Sequence, residues 1–468
     1  MTRRRATRAI DAPHAATTDH IVATRRVWGW PLALAALGVG AFLLRLIYLL
    51  ELRDSAFFGV LIGDGLEYDR WAREIAAGDW LGGTVFYQAP LYPYLLGVFY
   101  SLAGHDPFGA RVLQALFGAA SAVLLAIGGG RFFDRRVGMI AGGLLAIYPT
   151  AIFFDGLIQK SSLDLLLLTA LIAALGMVAD RPARRWLALS GLLLGLLALN
   201  RENARILYPV VAAWLWMPHG GDWAGRAVRI AVFTAAMAAV MVPVGLRNAY
   251  VGGEFLISTS QAGSNFYIGN SRGATGVYES LVEGRGNARY EREDATRLAE
   301  EAAGRTLTPG EVSIFWWRRA LEDIRTDPAG WVRLMALKTW LTVAATEQID
   351  TESIEAYATE SRVLAALRWF TFGVVMALAV PGVWLTRRQW RRLWVLHGSF
   401  LALALSVIAF FVLSRYRFPM APFGILFAAA TLGGAAGRAC PAATSRPGPC
   451  VRGPRARDRA PHPRAAIG

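Results

Sequence analysis

The chain has 468 residues, 55% of them hydrophobic, with a formal net charge of +15 and two cysteines. Apolar runs of roughly twenty residues exclude an ordinary soluble domain and mark a polytopic all-α membrane protein. Cys440 and Cys450 are too few for a zinc site, and the positive charge sits in short loops and tails, where it reports topology rather than nucleic-acid binding.

Residues 1–28 carry Arg3, Arg4, Arg5, Arg8, Arg25 and Arg26 and are expected to be a cytoplasmic basic N-terminus. A first span over 30–50 then places the loop 51–107 on the outer face. Within that loop Asp64, Glu67, Asp69, Glu74 and Asp79 outnumber Arg70 and Arg73, so the segment must leave the bilayer core. Gly63-Asp64-Gly65 reads as a turn and 66–77 as a short helix, with Asp64, Tyr68, Trp71 and Ile75 at helical spacing on one face. Pro90 and Pro93 bracket an aromatic segment, PLYPYLLGVFY, expected to lie on or dip into the membrane. Spans over 108–130, 137–150 and 165–178 follow, separated by the basic turns RFFDRR and ADRPARR and by the polar boundary segment AIFFDGLIQKSSLD.

Residues 186–217 read as two short spans meeting at Asn200-Arg201-Glu202-Asn203, each about 21 Å long against a core of about 30 Å. Such short spans are tolerated where a polar cavity indents the membrane face. A span over 228–245 leads to a large outer loop, 247–365. That loop contains a helix opened by the capping box Thr308-Pro309-Gly310-Glu311 and stopped at Asp327-Pro328. Trp331, Met335, Lys338 and Trp340 mark a further, interfacial helix. Spans over 367–385, 393–413 and 416–436 complete about ten, within a transmembrane domain over 29–436. A basic, proline-rich tail over 437–468 is expected to be disordered and cytoplasmic.

The residues able to carry chemistry gather at the outer boundary. They are Asp64, Glu67, Asp69, Asp155, Lys160, Arg201, Arg205, Arg415 and Arg417, with Arg45 at the outer end of the first span. Lys160 and Lys338 are the only lysines among 49 basic residues, so a compact ammonium has been kept where arginine is otherwise the rule. Preorganised cations stabilise a departing lipid phosphate, and a partly desolvated carboxylate suits a general base for an acceptor hydroxyl. The pattern therefore points to sugar transfer from a polyprenyl phosphate. Each residue also has a plainer reading. Asp64 and Glu67 form an Asp-x-x-Glu capping box, which would leave Asp64 a poor base. Arg45 could snorkel, Lys160 could pair with Asp155 or Asp164, and Arg415 and Arg417 could anchor headgroups. Tyr267 and Tyr278 could stack on a sugar or simply fold their loop.

The order of GDGLEYDRWA, PLYP (90–93), FFDGLIQKSSL, NFYIGN (265–270) and RYRFP (415–419) resembles the C-type (GT-C) glycosyltransferases. Bacterial relatives of the protein mannosyltransferases and the aminoarabinose lipid A transferase are the nearest in pattern. The resemblance spans about residues 30–436. It implies a site on the extracytoplasmic face of a bacterial inner membrane, with Asp64 as the catalytic carboxylate. Lys160, Arg201, Arg415, Arg417 and Arg45 would serve the donor phosphate, with Glu67, Asp69 and Asp155 as acidic partners. Tyr68, Tyr92, Tyr267 and Asn270 would line the substrate loop. The implied partners are a polyprenyl-phosphate sugar and a lipid, polysaccharide or protein acceptor. No cofactor is indicated: a divalent metal is compatible with the carboxylates but not called for, since no histidine joins them except His105, which reads as a loop residue. The competing readings are a flippase for a lipid-linked sugar and a surface-polysaccharide ligase or polymerase.

Overall fold

The computed structural model describes residues 16–217, 222–257, 259–286 and 288–434. The expected disordered tail (437–468), like the first fifteen residues, lies outside the described residues. Every regular element among them is helical. In chain order these are α1 (Ala16–Leu52), α2 (Ala56–Gly59), α3 (Gly63–Ala76), α4 (Leu91–Ala103), α5 (Pro107–Phe132), α6 (Arg135–Ala146) and α7 (Pro149–Asp155). Next come α8 (Ser161–Asp180), α9 (Arg184–Asn200), α10 (Leu207–Trp216), α11 (Trp223–Gly252), α12 (Ala262–Asn270), α13 (Ala288–Ala303) and α14 (Pro309–Thr326). The last are α15 (Pro328–Val343), α16 (Ile354–Glu360), α17 (Arg362–Leu367), α18 (Phe372–Thr386), α19 (Trp390–Ala409), α20 (Ser414–Arg417) and α21 (Ala421–Gly433).

The helix starts follow local chemistry. Asp106, Asp134, Asp222 and Asp327 each accept a backbone N–H bond at the start of α5, α6, α11 and α15. Thr308 and Glu311 form the capping box of α14. The packed centre joins α5, α6, α8 and α21. At the α5–α6 crossing a Cβ on Gly138 would collide with the carbonyl of Ala126, so the two helices touch backbone to backbone.

Five stretches are long and apolar enough to cross a membrane: Gly29–Leu52, Pro107–Phe132, Ser161–Asp180, Trp223–Gly252 and Arg362–Ala409. The pair α6–α7, bent by 55°, makes a sixth. This is a polytopic helical membrane protein, but length and composition alone do not give ten spans. Several of the expected crossings are short or broken: α9 and α10 are separated at 201–206, and α21 has 13 residues. The stretch 362–409 is itself divided into α17, α18 and α19, with a 3-10 turn at Arg387–Gln389 between α18 and α19.

Two ends of the bundle are distinguishable. At one, Asp180 pairs with Arg131 at 3.0 Å and with Arg392 at 2.7 Å, tying the ends of α5 and α8 to the start of α19. At the other stand α3, α20 and the segments of the large loop. Within that loop Ala295, Ala299, Val312 and Trp316 form a small core of their own.

Candidate active site

The site is built on the first turn of α3, and its start corrects the turn expected over 63–65. The helix begins at Gly63, whose φ of 54° is left-handed, and the residue capping it is Ile62. Asp64 therefore caps nothing, and the capping-box reading falls: its carboxylate points to other segments. The glycines beside it make this possible. A Cβ on Gly63 would lie 2.6 Å from Thr351 Oγ1, and one on Gly65 would lie 3.1 Å from the Ile158 carbonyl. Both neighbours can thus close on the helix start, bringing Asp350 and Lys160 with them.

Asp64 Oδ1 accepts a hydrogen bond from Gln88 Nε2 at 2.9 Å, and Oδ2 pairs with Arg415. Arg415 in turn reaches Asp350 at 3.1 Å. Lys160 Nζ is buried and, among the described residues, pairs with one distant carboxylate, Glu202, at 3.8 Å; Glu202 also accepts from Gln261 at 2.8 Å. Asp64, Gln88, Lys160, Gln261, Tyr278, Glu291, Asp350, Arg415 and Tyr416 line one pocket. Burial alone would raise the Asp64 carboxyl, but Arg415, the Gln88 amide and Lys160 overcome it and hold it below the usual range. Asp350 goes the other way: burial, reinforced by the charge of Asp64, outweighs Arg415 and raises it. Burial likewise pushes Glu291 up to about 7, against Tyr278 and with the help of Asp64.

The remaining expected residues are placed elsewhere. Arg45 and Asp155 form a sealed pair at 2.6 Å, 0% and 2% exposed in their side chains, and Arg45 also donates to the carbonyls of Ala41 and Ala146. That rules out snorkelling and removes both from the pocket. Asp69 is locked by Tyr100, His105 and Arg73 at 2.7, 2.8 and 2.9 Å, and Glu67 pairs with its helix neighbour Arg70. Arg417 is spent on Glu347 and on the carbonyls of Leu341, Ala344 and Thr346, clamping the end of α15. Arg201 binds Asp164 at 2.7 Å; among the described residues its two terminal nitrogens have no hydrogen-bond partner, and its guanidinium sits 5.6 Å from the Tyr416 ring, at the pocket's edge.

Of the four substrate-loop candidates, Tyr68 is fully buried with its ring edge-on to Tyr92, and Tyr92 bonds Gln114 at 2.5 Å. Tyr267 packs on Trp316, and Asn270 accepts from Trp331 and Lys338. These are folding contacts. Of the pocket residues named above, sequence analysis does not single out Gln88, Gln261, Glu291, Asp350 or Tyr416. Among the described residues no group of three or more His, Cys, Asp or Glu is placed to hold a metal ion.

A helical membrane bundle with a charged pocket at one end is the class of protein these observations define. The family described as dolichyl-phosphate-mannose-protein mannosyltransferase matches residues 87–246, less than half of the chain. No curated protein matches it in sequence. Among solved structures it is similar to the Archaeoglobus fulgidus oligosaccharyltransferase AglB bound to an inhibitory peptide and a dolichol-phosphate. The identity is 14%, the TM-score 0.50, and the match covers 87% of this chain and 50% of that one. The apo form of the A. fulgidus oligosaccharyltransferase gives 14% identity and a TM-score of 0.52, over 86% and 50% of the two chains. A fainter likeness, at a TM-score of 0.40 and 18% identity, is to ArnT from Cupriavidus metallidurans bound to undecaprenyl phosphate, over 86% and 78%. The chain spans about half the length of the oligosaccharyltransferase chains. The likeness to the oligosaccharyltransferase is one of fold.

Proposed function

We propose that the protein is an integral-membrane glycosyltransferase that moves a sugar from a polyprenyl-phosphate donor to an acceptor hydroxyl. We place the reaction at the extracytoplasmic face of a bacterial cytoplasmic membrane. One observation carries this reading: Asp64, Arg415 and Lys160, drawn from three distant segments, converge on one polar pocket at one end of the bundle. The oligosaccharyltransferase of the same fold was solved with a dolichol-phosphate, and the matching family is named for a dolichyl-phosphate-mannose donor.

In this reading the donor phosphate lies against Lys160, whose ammonium has donors to spare, and against Arg415. Both stabilise the charge that collects on the phosphate as the sugar leaves. Asp64 stays ionised and holds Arg415 toward the pocket while orienting the acceptor hydroxyl. Attack by that hydroxyl on the anomeric carbon is a single displacement, so the anomeric configuration inverts. A flippase would need a polar path through the bundle, whereas the charges of the pocket gather at one end. A polysaccharide ligase would use the same pocket with a larger donor.

The reading is tested with mannosyl polyprenyl phosphate, labelled in the sugar, in proteoliposomes supplied with a bacterial envelope fraction. Label should leave the donor lipid for water, lipid, protein or polysaccharide products. Label that only crosses the bilayer while staying on its lipid would replace the glycosyltransferase with a flippase.

A further inference from the structure

The pocket contains a carboxylate that none of the family patterns in this chain includes. Glu291 projects from the first turn of α13, in the large loop, and faces the pocket that holds Asp64. The carboxylates in and beside the pocket differ in how they are held. Asp64 and Asp350 are both paired with Arg415, and Glu202 sits with Lys160 and Gln261. Glu291 has no ion pair among the described residues. The next residue, Arg292, lines a separate groove of about 600 Å³, open to solvent, and Tyr87 and Gln88 divide in the same way between groove and pocket. Glu291 therefore stands where a groove open to solvent meets the charged pocket.

We propose, resting on the glycosyltransferase reading, that Glu291 is the proton acceptor for the attacking hydroxyl, with Asp64 as its ionised, Arg415-holding neighbour. As the acceptor oxygen bonds to the anomeric carbon, its proton passes to the Glu291 carboxylate. The bond between that carbon and the phosphate oxygen breaks, and its electron pair leaves on the phosphate beside Lys160 and Arg415. The proton then returns to solvent through the groove. The acid–base behaviour agrees with this division. A group held well below the usual range is a weak base, whereas one poised near neutrality is matched to the task. Burial puts Glu291 at about 7, while Asp64 is held low. The charged and titratable groups that face Glu291 are Asp64 on α3, Lys160 before α8, Tyr278 and Asp350 in the large loop, and Arg415 and Tyr416 on α20. Of these, Asp64 and Asp350 raise it and Tyr278 and Arg415 lower it.

The test is kcat/KM for release of labelled mannose from mannosyl polyprenyl phosphate, with water as acceptor, between pH 5 and 9. Wild type, Glu291→Gln and Glu291→Asp are compared, with binding of unlabelled polyprenyl phosphate as a second readout. The wild-type value should fall about tenfold per pH unit below pH ~7. Glu291→Gln should lose that acid limb and roughly 100-fold or more in rate while still binding the lipid phosphate. Glu291→Asp should keep a limb at reduced rate. If Glu291→Gln retains the wild-type rate and limb, or loses lipid binding together with activity, the assignment is wrong. A wild type that releases no label overturns the glycosyltransferase reading itself, and this one with it.

Discussion

The sealed pair between Arg45 and Asp155 separates structural charge from catalytic charge, and its removal has a calculable effect. Arg45 sits in the membrane-crossing part of α1, where an unpaired charge is expensive. Its Nε is 2.6 Å from Asp155, and neither side chain reaches solvent. The crossing is so close that a Cβ on Gly118 of α5 would overlap both partners. Asp155→Leu leaves the guanidinium buried without its anion and should cost about 3–5 kcal/mol; the double variant Arg45→Met/Asp155→Leu should recover most of that, because two apolar groups of similar size can replace a buried pair. Thermal unfolding in detergent gives the first number, and binding of a polyprenyl phosphate gives the control. The double variant should bind the lipid as wild type does. A stable double variant that no longer binds the lipid would return Arg45 to the phosphate site and refute the reasoning.

Two other outcomes follow from the same geometry. Lys160→Met should weaken binding of the polyprenyl phosphate about tenfold, the equivalent of one charge-assisted hydrogen bond, with little change in thermal stability; unchanged affinity in a competition assay would remove Lys160 from the phosphate site. Lys338 is fully buried against the Asn270 and Phe410 oxygens, and burial lowers its ammonium from 10.5 to about 7. The unfolded chain then binds a proton that the folded chain does not between about pH 7 and 10.5, so wild-type stability should rise with pH across that window relative to Lys338→Met. Parallel melting curves would show that Lys338 does not titrate there.

Much of the architecture was legible in local chemistry. The apolar runs gave five membrane-crossing stretches and a bent sixth rather than all ten expected, the Thr308–Glu311 box gave the start of α14, and the polar break at Asn200–Asn203 gave the division of α9 from α10. The site was legible only in part. Arg45, Arg415 and Arg417 look alike in sequence; which of them is sealed, which clamps a loop and which faces the pocket depends on Asp155, Asp64 and Glu347, all far along the chain. Gly63 and Gly65 carry a usable signal that in sequence reads as a turn, because the segments they admit, at Thr351 and Ile158, are set by long-range packing. Glu291 could not have been singled out. It lies in ARYEREDATRLAEE, a stretch whose charges otherwise pair along and beside their own helix, as Arg289 with Glu293 and Arg297 with Glu301 do. Only the docking of α13 against α3 distinguishes it.

The central claim is tested most directly by sugar transfer from labelled mannosyl polyprenyl phosphate in proteoliposomes, wild type against Asp64→Asn. Asparagine keeps the shape of the side chain and the bond with Gln88 but gives up the charge that holds Arg415. Transfer should fall by at least about 100-fold, with thermal stability retained. An Asp64→Asn variant that transfers sugar at the wild-type rate would contradict the account, because the pocket would then work without the carboxylate around which it is built.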